Sequence, residues 1–207
     1  VIDFPISEEK FDGDEVAYRR AKDFFAGDPS MNQGRTLRSI IDEGLENYAA
    51  VFAPGGQAPV VDLMQDAAVG EILRHFHTKG NPTALLCHGP ISAAAAMPKA
   101  REFRAALIAG DQSGAAKLAK GWQYAGYRMT VFSSTEEKVI EDQILHAKLY
   151  FNMVDALKTA GAEVIIGADF EPHVIVDREL ITGQNPRSDH PIAAKLIEAL
   201  DRKVAAA

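Results

Sequence analysis

The run Thr83-Ala84-Leu85-Leu86-Cys87-His88-Gly89-Pro90 constrains the fold of this chain more than any other stretch. Residues 83–87 are short and apolar and read as a buried strand. The run then stops at a glycine and a proline. Gly89 permits tight backbone geometry, and Pro90 suits the first turn of a helix. The strand therefore delivers Cys87 to its carboxyl end, at a sharp strand-to-helix turn. Sites in open α/β sheets lie at the carboxyl ends of strands. A thiol placed there faces the positive end of a helix, which favours the thiolate. The same mechanics underlie the serine nucleophile elbow. The competing reading is a buried structural cysteine, because free cysteine often packs as a small hydrophobe.

The rest of the chain fits that turn. Apolar strand-like runs alternate with helix-like periods, which argues for an α/β fold with a mostly parallel sheet. Strands are expected at 48–53, 83–87, 128–132, 163–166, 173–176 and 180–182. Helices are expected at 14–26, 60–78 and 139–160, and from about Ser188 to the end. A shorter helix or turn is expected at 35–42, and a small-residue helix after Gly89. Residues 99–122 read as one or two surface helices interrupted near 110–114. No linker long enough to divide the chain is visible, so one domain over 1–207 is expected.

Composition narrows the class. The 207 residues are 47% hydrophobic and 25% charged, as in ordinary globular proteins, and are enough to bury a sizeable core. The formal net charge of -7 argues against a nucleic-acid surface, which normally needs a basic patch. No apolar run reaches the ~18 residues of a membrane span, and no basic-then-apolar leader pattern is visible. With a single cysteine there is no internal disulfide, which fits a reducing compartment and the expectation of a cytoplasmic protein.

Other residues can join Cys87. His88 follows it directly, and at a sharp turn the two side chains can converge, so His88 is a candidate base or acid. The alternative is a surface or supporting histidine. Pro54-Gly55-Gly56 ends the preceding strand. If the two strands are neighbours, the backbone N–H groups of Gly55 and Gly56, with that of His88, can bind a developing oxyanion. The alternative is an ordinary βα turn. Ser133-Ser134-Thr135-Glu136-Glu137 places two acids after the 128–132 strand. Either acid can orient a base, or both can simply favour a helix N-terminus. His75 and His77 lie two apart and do not share a helix face. No metal site is expected there, and His146 has no obvious ligand partner. No dinucleotide or phosphate loop is present, so no cofactor is expected.

These stretches resemble the DJ-1/PfpI superfamily, within the class I glutamine-amidotransferase-like fold, and most of all its Hsp31-like branch. The residues that carry the resemblance are Ala50-Val51-Phe52-Ala53-Pro54-Gly55-Gly56, Ala84-Leu85-Leu86-Cys87-His88-Gly89-Pro90, Val131-Phe132-Ser133-Ser134-Thr135-Glu136-Glu137 and Leu180-Ile181-Thr182-Gly183-Gln184-Asn185-Pro186. The resemblance implies a flavodoxin-like three-layer α/β/α sandwich and a homodimer. It implies Cys87 as nucleophile and His88 as its partner. The third member would be an acid about five residues beyond Phe132, which falls on Glu137. Members are described as glutathione-independent glyoxalases that make hydroxy acids from small carbonyl substrates such as methylglyoxal. Others are described as deglycases, holding chaperones or peptidases.

Two departures stand out. The family places a glutamate in its first strand–loop unit, near the cysteine. These residues begin Val1-Ile2-Asp3 and are expected to lack that unit, and Glu8, Glu9 and Glu15 do not sit in the matching context. Gln57 also stands where many relatives carry histidine. The leading expectation is a cysteine-dependent glyoxalase. A cysteine hydrolase of amides or small peptides is the alternative enzyme, and a holding chaperone or redox sensor the alternative class. An amidotransferase subunit is disfavoured, because such proteins keep their histidine far from the cysteine.

Overall fold

The computed structural model describes Phe11 and residues 13–205. By internal contacts the chain forms two compact units, 1–40 and 41–207. In the first, the helix Glu15–Gly27 starts at Asp14, whose carboxylate accepts the Ala17 N–H at 2.9 Å. Asp28 ends it and caps the next turn, Pro29–Asn32. The helix Leu37–Glu43 holds the last residues of the first unit and the first residues of the second.

The second unit is built on a four-stranded sheet in the order β1-β2-β6-β5. Its strands are β1 (Val51–Ala53), β2 (Thr83–Leu86), β5 (Val174–Asp177) and β6 (Leu180–Gly183). β1, β2 and β6 run parallel, with Val51 opposite Thr83 and Leu86 opposite Gly183. β5 is antiparallel to β6 across the turn Arg178–Glu179. Every residue of β2 and β6 is buried. A strand buried on both faces needs cover on both. The C-terminal helix Asp189–Ala205 packs on β2, β5 and β6, and the helix Ala67–Lys79 packs on β2 and on the segment after Cys87.

β3 (Arg128–Met129) and β4 (Glu163–Val164) form a separate parallel ladder. β3 is shorter than the expected 128–132 strand because its backbone changes partners. The Thr130 N–H donates to the Thr182 hydroxyl at 2.9 Å, and the Phe132 N–H to the Cys87 carbonyl at 2.9 Å. The segment still arrives at the carboxyl end of β2.

Three expected helices come out differently. The 60–78 stretch is divided into Ala58–Val61, a tight 3₁₀ turn at Leu63–Gln65, and Ala67–Lys79. Asp66 makes the division, capping the Ala68 and Val69 N–H groups with one carboxylate oxygen. The 139–160 stretch is two helices, Ser134–Ile140 and Met153–Thr159. A wide π turn at Glu141–Leu145 ends in left-handed His146 (φ 49°), and Asn152 starts the second helix by accepting the Asp155 N–H. Ile144 and Leu145 are exposed there, so no core holds a continuous helix together. The small-residue helix after Cys87 is a fully buried 3₁₀ run, Gly89–Ala96. Residues 99–122 hold two helices, Ala100–Ile108 and Gln112–Leu118.

Candidate functional site

Cys87 ends β2 in the left-handed backbone region, with φ 62°. A non-glycine residue there costs about 1–3 kcal/mol, so the surroundings must hold it. Its N–H donates to the Gly183 carbonyl at 2.7 Å, and its carbonyl accepts the Phe132 N–H at 2.9 Å. The strand on one side and the 128–132 segment on the other thus clamp the elbow.

Two glycines let neighbouring backbone come close. A Cβ on Gly55 would lie 2.6 Å from the Cys87 Cβ and 3.1 Å from Sγ. A Cβ on Gly89 would lie 2.8 Å from the Ala53 carbonyl oxygen. The β1 and β2 ends are therefore adjacent, and the Pro54-Gly55-Gly56 turn lies against the thiol.

His88 converges on Cys87. Its Nδ1 lies 3.2 Å from Sγ, and its Nε2 lies 2.6 Å from Glu137 Oε2. Its ring stacks on Phe132 at 4.8 Å and 24°. All three side chains of this line are buried. Burial pushes the His88 imidazolium down, but its hydrogen bonds to Cys87 and Glu137 and their negative charge outweigh that, raising its pKa from 6.5 to about 9. At neutral pH the ring carries a proton between two acidic groups.

The two acids that spacing left open separate in space. Glu136 completes a capping box with Ser133: the Ser133 hydroxyl accepts the Glu136 N–H at 3.0 Å, and Glu136 Oε2 accepts the Ser133 N–H at 2.9 Å. Glu137, one residue on, faces His88. Its other oxygen, Oε1, is buried with no hydrogen-bond partner among the described residues.

Gln57, at the position noted for its departure, is half-buried. Glu8 and Glu9 lie outside the described residues. Glu15 is exposed in the first unit and pairs with Arg19 at 2.8 Å. His77 pairs with Glu179 at 2.7 Å, on a helix away from the thiol. Among the described residues no group of three or more His, Cys, Asp or Glu side chains is arranged to hold a metal ion. No described helix is long and apolar enough to cross a membrane. Sequence reasoning missed Phe132 and Gly183 as supports of the elbow. Both lie within the quoted stretches, but strand pairing was needed to bring them to Cys87.

A thiol on a left-handed strand end, backed by imidazole and carboxylate within a mainly parallel flavodoxin-like sheet, defines a cysteine-elbow protein of the flavodoxin-like α/β class. The DJ-1/PfpI family model matches residues 35–199, and the chain belongs to that family. It is 26% identical over 213 aligned residues to the Saccharomyces cerevisiae protein named glutathione-independent glyoxalase HSP31, covering 96% of this chain and 81% of that one. It is 28% identical over 150 residues to the Bos taurus glutamine amidotransferase-like class 1 domain-containing protein 1, covering 72% of this chain and only 58% of the bovine one. The crystal structure of the Francisella tularensis Rapid Encystment Protein 24 KDa superposes with a TM-score of 0.65 at 24% identity, over 86% of this chain and 70% of that one.

Proposed function

We propose that this chain carries a cysteine-dependent, glutathione-independent glyoxalase reaction, turning a 2-oxoaldehyde into a 2-hydroxy acid. The observation that carries the reading is the line from Cys87 Sγ through His88 to Glu137, at 3.2 and 2.6 Å. The name of the yeast relative points to the same chemistry.

The residues support a balanced sequence of steps. Cys87 thiolate adds to the aldehyde carbon and forms the C–S bond. The His88 imidazolium protonates the resulting oxyanion, giving a hemithioacetal. Neutral His88 then takes the proton from that carbon, becoming the imidazolium again and leaving an enediolate. Returning a proton to the adjacent carbon, with the hydroxyl proton passing to the other oxygen, gives the hydroxyacyl thioester. Water adds to the thioester as neutral His88 takes one of its protons, the C–S bond breaks, and the hydroxy acid is released with the thiolate and imidazolium restored. No external oxidant or reductant is needed, because one carbon is oxidised as its neighbour is reduced. Glu137 keeps the imidazole oriented throughout and stabilises its charged form each time it holds the second proton.

The test is consumption of methylglyoxal without glutathione, with lactate as product. Wild type should turn over, and Cys87→Ala and His88→Ala should not. Equal rates in wild type and Cys87→Ala would end the proposal.

The close approach of Gly55 to the thiol favours a second reading, a cysteine hydrolase with backbone N–H groups at Gly55 and Gly56 stabilising a tetrahedral oxyanion. Release of dye from a labelled amide, absent in Cys87→Ala, would separate it from the first.

A further inference from the structure

Glu136 is fully buried, yet it is a carboxylate with four donors. Oε2 accepts from the Ser133 N–H at 2.9 Å and the Gln184 side-chain amide at 3.1 Å. Oε1 accepts from the Asn185 side-chain amide at 2.8 Å and the Phe170 N–H at 2.6 Å. A buried carboxylate with donors on both oxygens is a rigid joint, because loosening any one segment strips a donor from it.

The joint ties three segments, and each leads to the site. Ser133 starts the helix that carries Glu137 to His88. Gln184 and Asn185 follow Gly183, whose carbonyl holds the Cys87 N–H. Phe170 sits in a left-handed conformation, φ 57°, and its ring meets Phe132 edge-on at 6.4 Å. Phe132 in turn stacks on His88. The loop around Phe170 has further fasteners to the same two stretches. Asp169 accepts from Ser133 and Thr135 hydroxyls, Gln184 accepts the Gly167 N–H, and Asn185 donates to the Glu171 carbonyl.

We propose that Glu136 is a positioning residue for the Cys87–His88–Glu137 line, acting as the buried joint that fixes Glu137, the Cys87 elbow and the aromatic wall behind His88 in one geometry. This rests on the reading of those three residues as a reactive unit. It gives a physical role to the Thr182-Gly183-Gln184-Asn185-Pro186 motif, which supplies two of the four donors.

The experiment compares wild type with Glu136→Gln. Glutamine has one acceptor oxygen and one NH₂ group, so two of the four donors would face another donor. The His88 titration midpoint is read by NMR of its ring carbons. The rate of Cys87 alkylation by iodoacetamide is read at neutral pH, and thermal melting reports the fold. The midpoint should fall by roughly one pH unit, a tenfold change in the ratio of its two forms, and alkylation should slow. A folded Glu136→Gln protein with the wild-type midpoint and an alkylation rate within about twofold of wild type, below the tenfold that one pH unit represents, would overturn the proposal, whatever its melting temperature. Should that variant not fold, Asn185→Ala, which keeps the carboxylate and removes one donor, is judged by the same two readouts. If wild type leaves methylglyoxal untouched, the glyoxalase reaction fails, while the midpoint and alkylation rate still decide the role of Glu136.

Discussion

His88 Nε2 lies 2.6 Å from Glu137 Oε2, and both side chains are buried. A buried charge-assisted hydrogen bond of this length is among the stronger polar contacts a protein makes. It fixes which face of the imidazole meets Cys87 and leaves Nδ1 for the sulfur.

Glu137→Gln keeps the shape of that contact and removes its charge. The His88 midpoint should drop well below about 9, because one of the contacts that offset burial has lost its charge. In a 2-oxoaldehyde assay kcat should fall by about 10²-fold, the usual scale for losing acid–base assistance. KM should move little. NMR titration and steady-state kinetics check the two halves separately.

Stability should depend on pH through the same histidine. Its folded pKa, about 9, lies above the ordinary 6.5. The folded state therefore holds its proton more tightly than the unfolded chain does. The stabilisation is fully present below pH 6.5 and is lost as pH rises through about 9. Urea midpoints measured across that window should decline in wild type. The decline should shrink in His88→Gln, which cannot take up the proton.

The left-handed backbone at Cys87 gives a prediction independent of chemistry. Cys87→Ala keeps a Cβ at φ 62° and so keeps the strain. Cys87→Gly removes it. The glycine variant should be more stable than the alanine variant by about 1 kcal/mol, despite the usual entropic cost of glycine. Paired urea melts at one pH measure this difference.

Gly55→Ala tests the close approach of the β1 end. The new methyl would lie 2.6 Å from the Cys87 Cβ, and backbone must shift to admit it. A loss of roughly 1–3 kcal/mol is expected, as for other overpacked sites. Alkylation of Cys87 should change in the same variant, while Gly56→Ala, with open space around its added Cβ, should suffer only from its φ of 91°.

Much of this arrangement was legible from local sequence. The elbow follows from Thr83-Ala84-Leu85-Leu86 running into Cys87-His88-Gly89-Pro90, because an apolar strand, a glycine and a proline act within a few residues of one another. The helix over 15–27 and the two helices within 99–122 follow from short-range caps and periodicity. Asp66 and Asn152 carried cap signals of the same kind. Apolar periods that run across both positions mask them.

Sequence alone determined that a thiol would stand at a strand end beside a histidine, since neither statement needs a distant contact. Tertiary structure decided the rest. Glu136 and Glu137 are chemically alike and adjacent, and only the facing of one helix turn gives His88 to Glu137 and four donors to Glu136. The 139–160 stretch breaks because packing, not periodicity, sustains a helix, and Ile144 and Leu145 find no core. The left-handed turn at Cys87 exists because Gly183 and Phe132, about 96 and 45 residues away in sequence, hold its backbone from both sides.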